Sequence, residues 1–576
     1  MSIRLEIPQI RPTRSSRVSH LPARRSFLKA GAAAAVVILT GCTSEPGSPT
    51  TGTAAPTGTS VPAANLTFTM GTAANPAGLD PALLLDSESF RVTRQIMETL
   101  IGVDPDTGVP KPQLATEWEE LDDGRAYLFR LREGVVFHDG TPFDAEAVKA
   151  NFERWYRLPR DARPAEAALS FASVFEAFAD EGETSLYKDC EVLAPNELRL
   201  NLNRRFSGLV AALSTPAFAI ASPAALADGN ADELNQERGG IRLSAFAQHP
   251  VGTGPFRFEA WSEEQVKLTA FENYWGPAAQ AGSVVFQTLP HPAARLRALQ
   301  SGRIDGYDLV TPETYAGLAR SGMQILQRDP FSVSYLGMNQ QFGLLADLRM
   351  RQAIAHAIDR SVLIEDFFLQ GTTEAKQFVP RSLGVTGEDI PYFEYNPERA
   401  RELLEEAGYD GEEIPFYYPL NVTRAYLPTP EKIYAELSRQ LTAVGVNIQP
   451  KPLAWEDGYL DRVQTSSDHA LHLGGWSGSY RDPDNFLGPL FGAPSPEFGF
   501  KNMQLFNRIA RARTLPAGEE RNQAYLTINN QVARLVPAVP LAFPVSALAM
   551  GARVASYPAS PMLDEVYNLV RLRTDA

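Results

Sequence analysis

Residues 474–486, GGWSGSYRDPDNF, gather a tryptophan, a tyrosine and two serines among glycines and run into Asp482-Pro-Asp-Asn485. Two chemistries compete for such a stretch. A hydrolytic serine on a sharp turn needs G-x-S-x-G. GWSGS fails that test, because its last position is Ser479, and no local pattern marks a base for it. A ligand wall needs a flat apolar surface and closely approachable backbone, which Trp476, Gly474 and Gly475 offer. Upstream, HALH sets His469 and His472 three apart. On a helix that pair could chelate, but the segment alternates as a strand, so the rings are expected on opposite faces and no zinc site is read there. There is no GxxxxGK[ST] phosphate loop, and the lone GTGPF turn is weak. These patterns point to no catalytic residue, no metal and no cofactor.

The elements that must carry these residues are legible. TFTM opens as a strand, and ESFRVTRQIMETL has Phe90, Ile96, Met97 and Leu100 at helical spacing. TPFDAEAVKANFERW predicts a helix with Asp144 as N-cap and Val148, Phe152 and Trp155 on one face. KDCEVLAPNELRLNL reads as a hairpin. DLRMRQAIAHAIDRSVLIEDFF reads as one long helix with Met350, Ile354, Ala357 and Ile358 inward. NPERARELLEEAGY carries Asn396 as N-cap, Pro397 at the first helical position and Gly408 just past the end. PFYYP, TPEKIYAELSRQLTAVG and VNIQP form a β-α-β unit with Ile433, Leu437, Leu441 and Val444 toward the sheet. The pattern is α/β with mixed sheets.

The chain has 576 residues, too many for one core, so several lobes are expected. Net charge is −15, and the first 41 residues alone are net +6, leaving −21 for the rest. An acidic body without a basic stripe excludes nucleic acid as a partner. Within ARRSFLKAGAAAAVVILTGC, Arg24 and Arg25 resemble a twin-arginine export signal. The apolar run from Ala30 to Thr40 is too short to span a bilayer, which takes about 20 residues. Leu39-Thr-Gly-Cys42 resembles a lipobox, so residues 1–41 are expected to be a signal peptide and Cys42 the acylated residue. Residues 42–65, rich in Thr, Pro, Gly and Ala, are expected to be a flexible tether. Cys190 then has no partner and reads as a small strand residue.

Several segments, taken in order, resemble one family. LATEWEELDDGRAYLFRLREGVVFHDGTPFDAEAVKANFERW, VGTGPFRFEAW, YLGMNQQ with LRMRQAIAHAIDR, YNPERARELLEEAGY and GGWSGSYRDPDNF are similar to the peptide-type (family 5) solute-binding proteins of ABC importers, such as dipeptide- and oligopeptide-binding lipoproteins. The resemblance runs from about Leu66 to Leu572. It implies a periplasmic-binding-protein-like clam of two lobes plus an inserted subdomain. Lobe I would comprise residues 66–109, 251–331 and 546–576, the inserted subdomain 110–250 and lobe II 332–545. Two crossing strands, near Phe331–Tyr335 and Leu541–Ser546, would form the hinge.

The resemblance also carries ligand contacts onto this chain. Asp86, Ser87 and Glu88 match a stretch that lines the family's pocket, and Arg424 and Tyr426 match the loop that holds a ligand carboxylate. Gly475, Trp476, Ser479 and Tyr480 match the aromatic wall, with Tyr480 either lining the pocket or packing beneath it. In peptide-binding relatives an Asp, three positions after the Trp, pairs with the ligand's α-ammonium; here that position is Ser479. Either another carboxylate such as Asp86 or Glu88 substitutes, or the ligand has no amine there, or the register shifts and Asp482 takes the role. If the Arg424 match holds, the pocket keeps its anion partner and lacks its usual cation partner, which favours an acidic ligand without an obligatory amine. An Arg in a loop can equally form a surface salt bridge, and Asp482-Pro-Asp-Asn485 reads as a turn and helix start.

The function expected is an exported, lipid-anchored, monomeric solute-binding component, on the outer face of the cell membrane or in the periplasm. It would close over a peptide or small acidic solute and deliver it to an ABC permease, with no reaction catalysed. A sensor or interaction lipoprotein on the same fold is the alternative, and an extracytoplasmic enzyme a weaker one.

Overall fold

Alternating small and apolar residues make TFTMGT a strand, Thr67–Thr72, whose Phe68 and Met70 are fully buried. Asp86 then starts the helix α1, Ser87–Ile96, by accepting a hydrogen bond from the Ser89 N–H at 2.8 Å. The computed structural model describes residues 66–573, apart from 85, 164–170, 182–184, 386 and 388–389. Arg24, Arg25, Cys42 and the Thr/Pro-rich tether lie outside the described residues. Among the described residues no helix is long and apolar enough to cross a membrane.

The body is built on two mixed sheets. The first, in lobe I, has seven strands in the order Phe256–Trp261, Gln265–Ala270, Ser283–Thr288, Thr67–Thr72, Gly306–Tyr307, Ser546–Met550 and Gln324–Arg328. Thr67–Thr72 lies parallel to both its neighbours, whereas Ser546–Met550 is antiparallel to both of its own. The second, in lobe II, has six strands in the order Thr373–Glu374, Ala538–Phe543, Ser332–Met338, Leu471–Ser477, Ile414–Leu420 and Ile448–Ala454. The β-α-β unit is present: Ile414–Leu420 and Ile448–Ala454 pair in parallel, with Pro430–Ala443 crossing between them. A four-stranded antiparallel sheet within the inserted subdomain contains the KDCEVL hairpin, where Cys190 is buried and its thiol pushed up by burial.

The chain crosses between the two large sheets twice. Gln324–Arg328 passes through Asp329-Pro330-Phe331 into Ser332–Met338, and Ala538–Phe543 passes through Pro544-Val545 into Ser546–Met550. These are the two crossing strands of the hinge. The lobes also touch at their rims, where Lys432 Nζ lies 2.5 Å from Glu313 Oε1, a half-exposed pair contributing about 0–1 kcal/mol.

One expectation fails locally. DLRMRQAIAHAIDRSVLIEDFF forms two helices, Leu348–Ala357 and Arg360–Phe367. Asp359 breaks the run. Its carboxylate accepts from the Ser361 and Val362 N–H groups, and its own N–H donates to Gln440 Oε1 at 2.7 Å. The side-chain cap outcompetes helix continuation, and the apolar spacing survives on both sides because Ile358 stays buried.

At the lobe-I end of the hinge sits a buried ionic network. Arg328 Nη1 lies 2.6 Å from Asp308 Oδ1, and its Nε lies 2.7 Å from Glu565 Oε1. Arg91 of α1 reaches Asp308 Oδ2 at 2.5 Å and Glu88 Oε2 at 3.2 Å. Although burial opposes ionisation, Arg328 and Arg91 hold the Asp308 carboxyl well below the ordinary carboxylate range. Its stabilisation is therefore present above the unfolded-state value of about 3.9 and is lost as pH falls through the depressed folded value. Removing it leaves two buried guanidiniums short of a partner, at a cost of about 3–5 kcal/mol. Asp308→Ala should lower the urea midpoint at pH 7. It should also flatten the wild-type loss of stability between about pH 5 and pH 2. A midpoint equal to wild type would contradict this reading.

Candidate ligand cleft

The glycines of GGWSGS have a structural explanation. Leu471–Ser477 runs antiparallel to the hinge strand Ser332–Met338, with Gly474 opposite Tyr335 and Trp476 opposite Val333. A Cβ on Gly474 would come within 2.5 Å of the Tyr335 ring, one on Gly475 would overlap the Tyr426 ring, and one on Gly478 would overlap Phe331. Each glycine thus seats an aromatic ring of the protein itself. This differs from the expectation that Gly474 and Gly475 open the backbone to a ligand, and it brings Tyr426 against the strand that carries Trp476.

Trp476 is half-buried, and its Nε1–H, fully shielded from solvent, has no protein acceptor. A buried donor left without a partner costs about 1–3 kcal/mol. Ser479 has a local role. Its N–H donates to Asn485 Oδ1 at 2.7 Å, and its Oγ accepts from Asn485 Nδ2 at 3.2 Å. Tyr480 is buried, with its hydroxyl pushed up by burial and by Asp484, so it packs beneath the wall. Asp482 is also spoken for. Its carboxylate accepts from Arg521 at 2.8 Å and from the Asp484 N–H at 2.8 Å. Asp482-Pro-Asp-Asn485 is a turn into the helix Asp484–Phe491.

From the other side come the residues at the start of α1. Asp86 and Ser87 are half-buried, whereas Glu88 is buried and paired to Arg91. Burial pushes the Asp86 carboxyl above its ordinary value, while the Ser89 hydrogen bonds and the charge of Arg424 act to hold it down. Arg424 sits on a tight turn closed by reciprocal backbone hydrogen bonds with Leu427, and its guanidinium stacks 4.3 Å from the centre of the Trp455 ring. The cation from lobe II and the carboxylate from lobe I therefore sense each other electrostatically. Tyr426 packs on Gly475, Trp476 follows on the same strand and Arg424 sits on the turn that carries Tyr426, while Ser479 is tied to Asn485, Tyr480 is buried and Glu88 is paired to Arg91.

Two further features bear on alternative chemistries. His469 and His472 do not point apart: His469 precedes the strand, and the two ring centroids lie 5.1 Å from each other. The strand reading fails because alternation begins only at Leu471. Both rings are buried, and Glu497 meets them, its carbonyl oxygen 2.9 Å from His469 Nε2 and its carboxylate 3.0 Å from His472 Nε2. Burial and the neighbouring His472 bring His469 down to about 4. Among the described residues no group of three or more His, Cys, Asp or Glu side chains could hold a metal ion. His138 of FHDG lies away from the cleft, its Nε2 2.9 Å from the Gly254 carbonyl oxygen, which ties this turn to GTGPF. Neither the Tyr426 seat on Gly475 nor the Trp455 platform under Arg424 is signalled by local spacing, because both are contacts between distant segments.

Comparison with known proteins agrees with this architecture. Residues 109–497 match the family described as bacterial extracellular solute-binding proteins, family 5 middle. The chain is 30% identical over 523 residues to heme-binding protein A of Haemophilus influenzae, covering 86% of this chain and 90% of that protein. It is 26% identical over 438 residues to the dipeptide-binding protein of Escherichia coli, covering 74% and 78% respectively. Among solved structures, the periplasmic binding protein DppA from Helicobacter pylori in complex with the peptide STSA superposes with a TM-score of 0.75 at 25% identity. That match covers 88% of this chain and 98% of the other. A two-lobed body with a crossed-strand hinge, a family match over residues 109–497 and 30% identity over 86% of the chain to one relative make the chain a member of family 5 of the bacterial extracellular solute-binding proteins.

Proposed function

We propose that the protein captures a short peptide or peptide-like solute between its lobes and delivers it to an ABC permease in the membrane. The observation that carries this reading is that the Asp86 carboxylate on lobe I lies within electrostatic reach of Arg424 on lobe II, while the shielded Trp476 Nε1–H has no protein acceptor. A zwitterionic ligand fits all three: its ammonium against Asp86, its carboxylate against Arg424 and a carbonyl on Trp476. This supports Asp86 as the substitute for the missing family Asp at Ser479, since Glu88 and Asp482 are already paired to arginines. Relatives are named for dipeptide and heme binding, and a structural relative holds a tetrapeptide, so peptide-like ligands lie within the family's range. Residues 66–109, 251–331 and 546–576 would move against 332–545, with 110–250 as an added subdomain. No chemical step is needed.

Calorimetric titration of free and N-acetylated dipeptides tests the charge assignment. Free-amine forms should bind tighter, and Asp86→Asn should weaken them by about a hundredfold, the lower end of what loss of a buried ion-pair partner costs, while leaving the acetylated forms nearly unchanged. Because burial raises Asp86, affinity for the free amine should begin to fall at a higher pH than an ordinary carboxylate near 3.9 would give. Equal or tighter binding of the acetylated forms would favour an acidic ligand without an amine and overturn the assignment.

Export by the Arg24-Arg25 signal and anchoring through acylated Cys42 complete the reading, placing the protein outside the cytoplasm as a tethered monomer. Cells fed an alkyne fatty acid should label the wild-type chain and leave Cys42→Ser unlabelled and soluble. Undiminished labelling of Cys42→Ser would rule out this anchor.

A further inference from the structure

A second cavity, of about 270 Å³, lies at the opposite end of α1 from Asp86. The helix has ten residues, so the two ends are about 15 Å apart. Arg94 and Met97 reach the cavity from the end of α1, Tyr274 and Trp275 form an aromatic wall, and Asp564 and Asn568 enter from the C-terminal return. None of the cleft residues lines it.

Its polar groups are unbalanced in one direction. Asn568 is 2% exposed, and its Nδ2 donates to the Pro277 carbonyl oxygen at 2.9 Å, while its Oδ1 has no donor. That hydrogen bond fixes the amide orientation, because the flipped amide would set Oδ1 against a carbonyl. Asp564 Oδ1 is likewise shielded from solvent and without a donor. Beside them Glu98 is buried. Its carboxylate accepts from Trp275 Nε1 at 2.8 Å, Tyr274 Oη at 2.9 Å, Thr253 Oγ1 at 2.9 Å and Gln113 Nε2 at 3.3 Å, all of them neutral donors. Arg94, the nearest cation on the wall, donates to the Leu563 carbonyl oxygen at 3.0 Å. Of the other charged side chains lining the cavity, Glu565 is already paired to Arg328, and Lys111 stands with Arg94 against Glu98 and Asp564. Two orphaned acceptors beside an aromatic wall whose Trp275 already carries the Arg132 cation 4.0 Å from its ring centre are the complement of an ammonium group on a short apolar body.

We infer that this cavity is a second binding site, separate from the interlobe cleft, for a small organic ammonium compound. The ammonium would donate to Asn568 Oδ1 and Asp564 Oδ1, and its carbon chain would lie along Tyr274 and Trp275.

The test uses the full chain carrying Asp86→Asn, so that the cleft carboxylate cannot supply the contact, with n-butylammonium chloride as probe and n-butanol as the uncharged control. Saturable binding of n-butylammonium by calorimetry or ligand-observed NMR is expected, with n-butanol at least tenfold weaker. Adding Asn568→Leu should weaken n-butylammonium at least tenfold. Should that variant fail to fold, Asp564→Asn, at a half-exposed position, should weaken it in the same direction. Absence of saturable binding, equal binding of n-butanol, or binding indifferent to both substitutions would overturn the inference.

Discussion

Arg328 is fully buried, and the bonds it makes hold the rest of the machine in place. It is the last residue of a lobe-I strand, and the chain enters the hinge immediately after it. Carboxylates stabilise a guanidinium buried there, and Asp308 and Glu565 meet it from the end of the Gly306–Tyr307 strand and from the C-terminal return. Asp308 also grips Arg91 of α1. The hinge root, the final segment and the helix whose N-terminus presents Asp86 are therefore fixed to one another. Breaking any of these pairs would strand a buried charge, which ties these three segments together. The same network pairs Glu88 to Arg91, whereas Asp86 caps the start of α1.

On lobe II the corresponding constraint is steric. Three glycines in six residues admit Tyr335, Tyr426 and Phe331 against a single strand. Tyr335 belongs to the hinge strand itself, and Tyr426 to the turn that presents Arg424. Hinge, anion partner and aromatic wall are thus packed through one short strand. In the closure proposed above, Arg424 and Trp476 would approach Asp86 together, which a ligand with separated charges can exploit.

Much of this was legible in the sequence where the determinants are local. Asn396, Pro397 and Gly408 punctuate their helix as expected, and Gly408 takes the left-handed conformation with φ 75°. The β-α-β unit and the crossed strands follow from periodicity and from ordered family motifs. What escaped depends on contacts between distant segments. Asp359 ends a helix that its apolar spacing would continue, because a side-chain cap and Gln440 intervene. HALH lies on the approach to a strand, so a two-residue period did not apply to His469. The glycines looked like space for a ligand because spacing alone does not reveal which aromatic ring fills that space. Ser479 drew notice as a missing charge, yet its position is occupied by the exchange with Asn485. The balance between Asp86, Glu88 and Asp482 could be read only once their arginine partners were in view.

The most direct measurement is identification by mass spectrometry of the small molecules released on denaturing the natively purified full chain. The account predicts compounds carrying both a primary amine and a carboxylate. These should be absent from the Asp86→Asn, Arg424→Ala double variant prepared in the same way. A bound compound lacking the amine, or the same compound retained by the double variant, would contradict it.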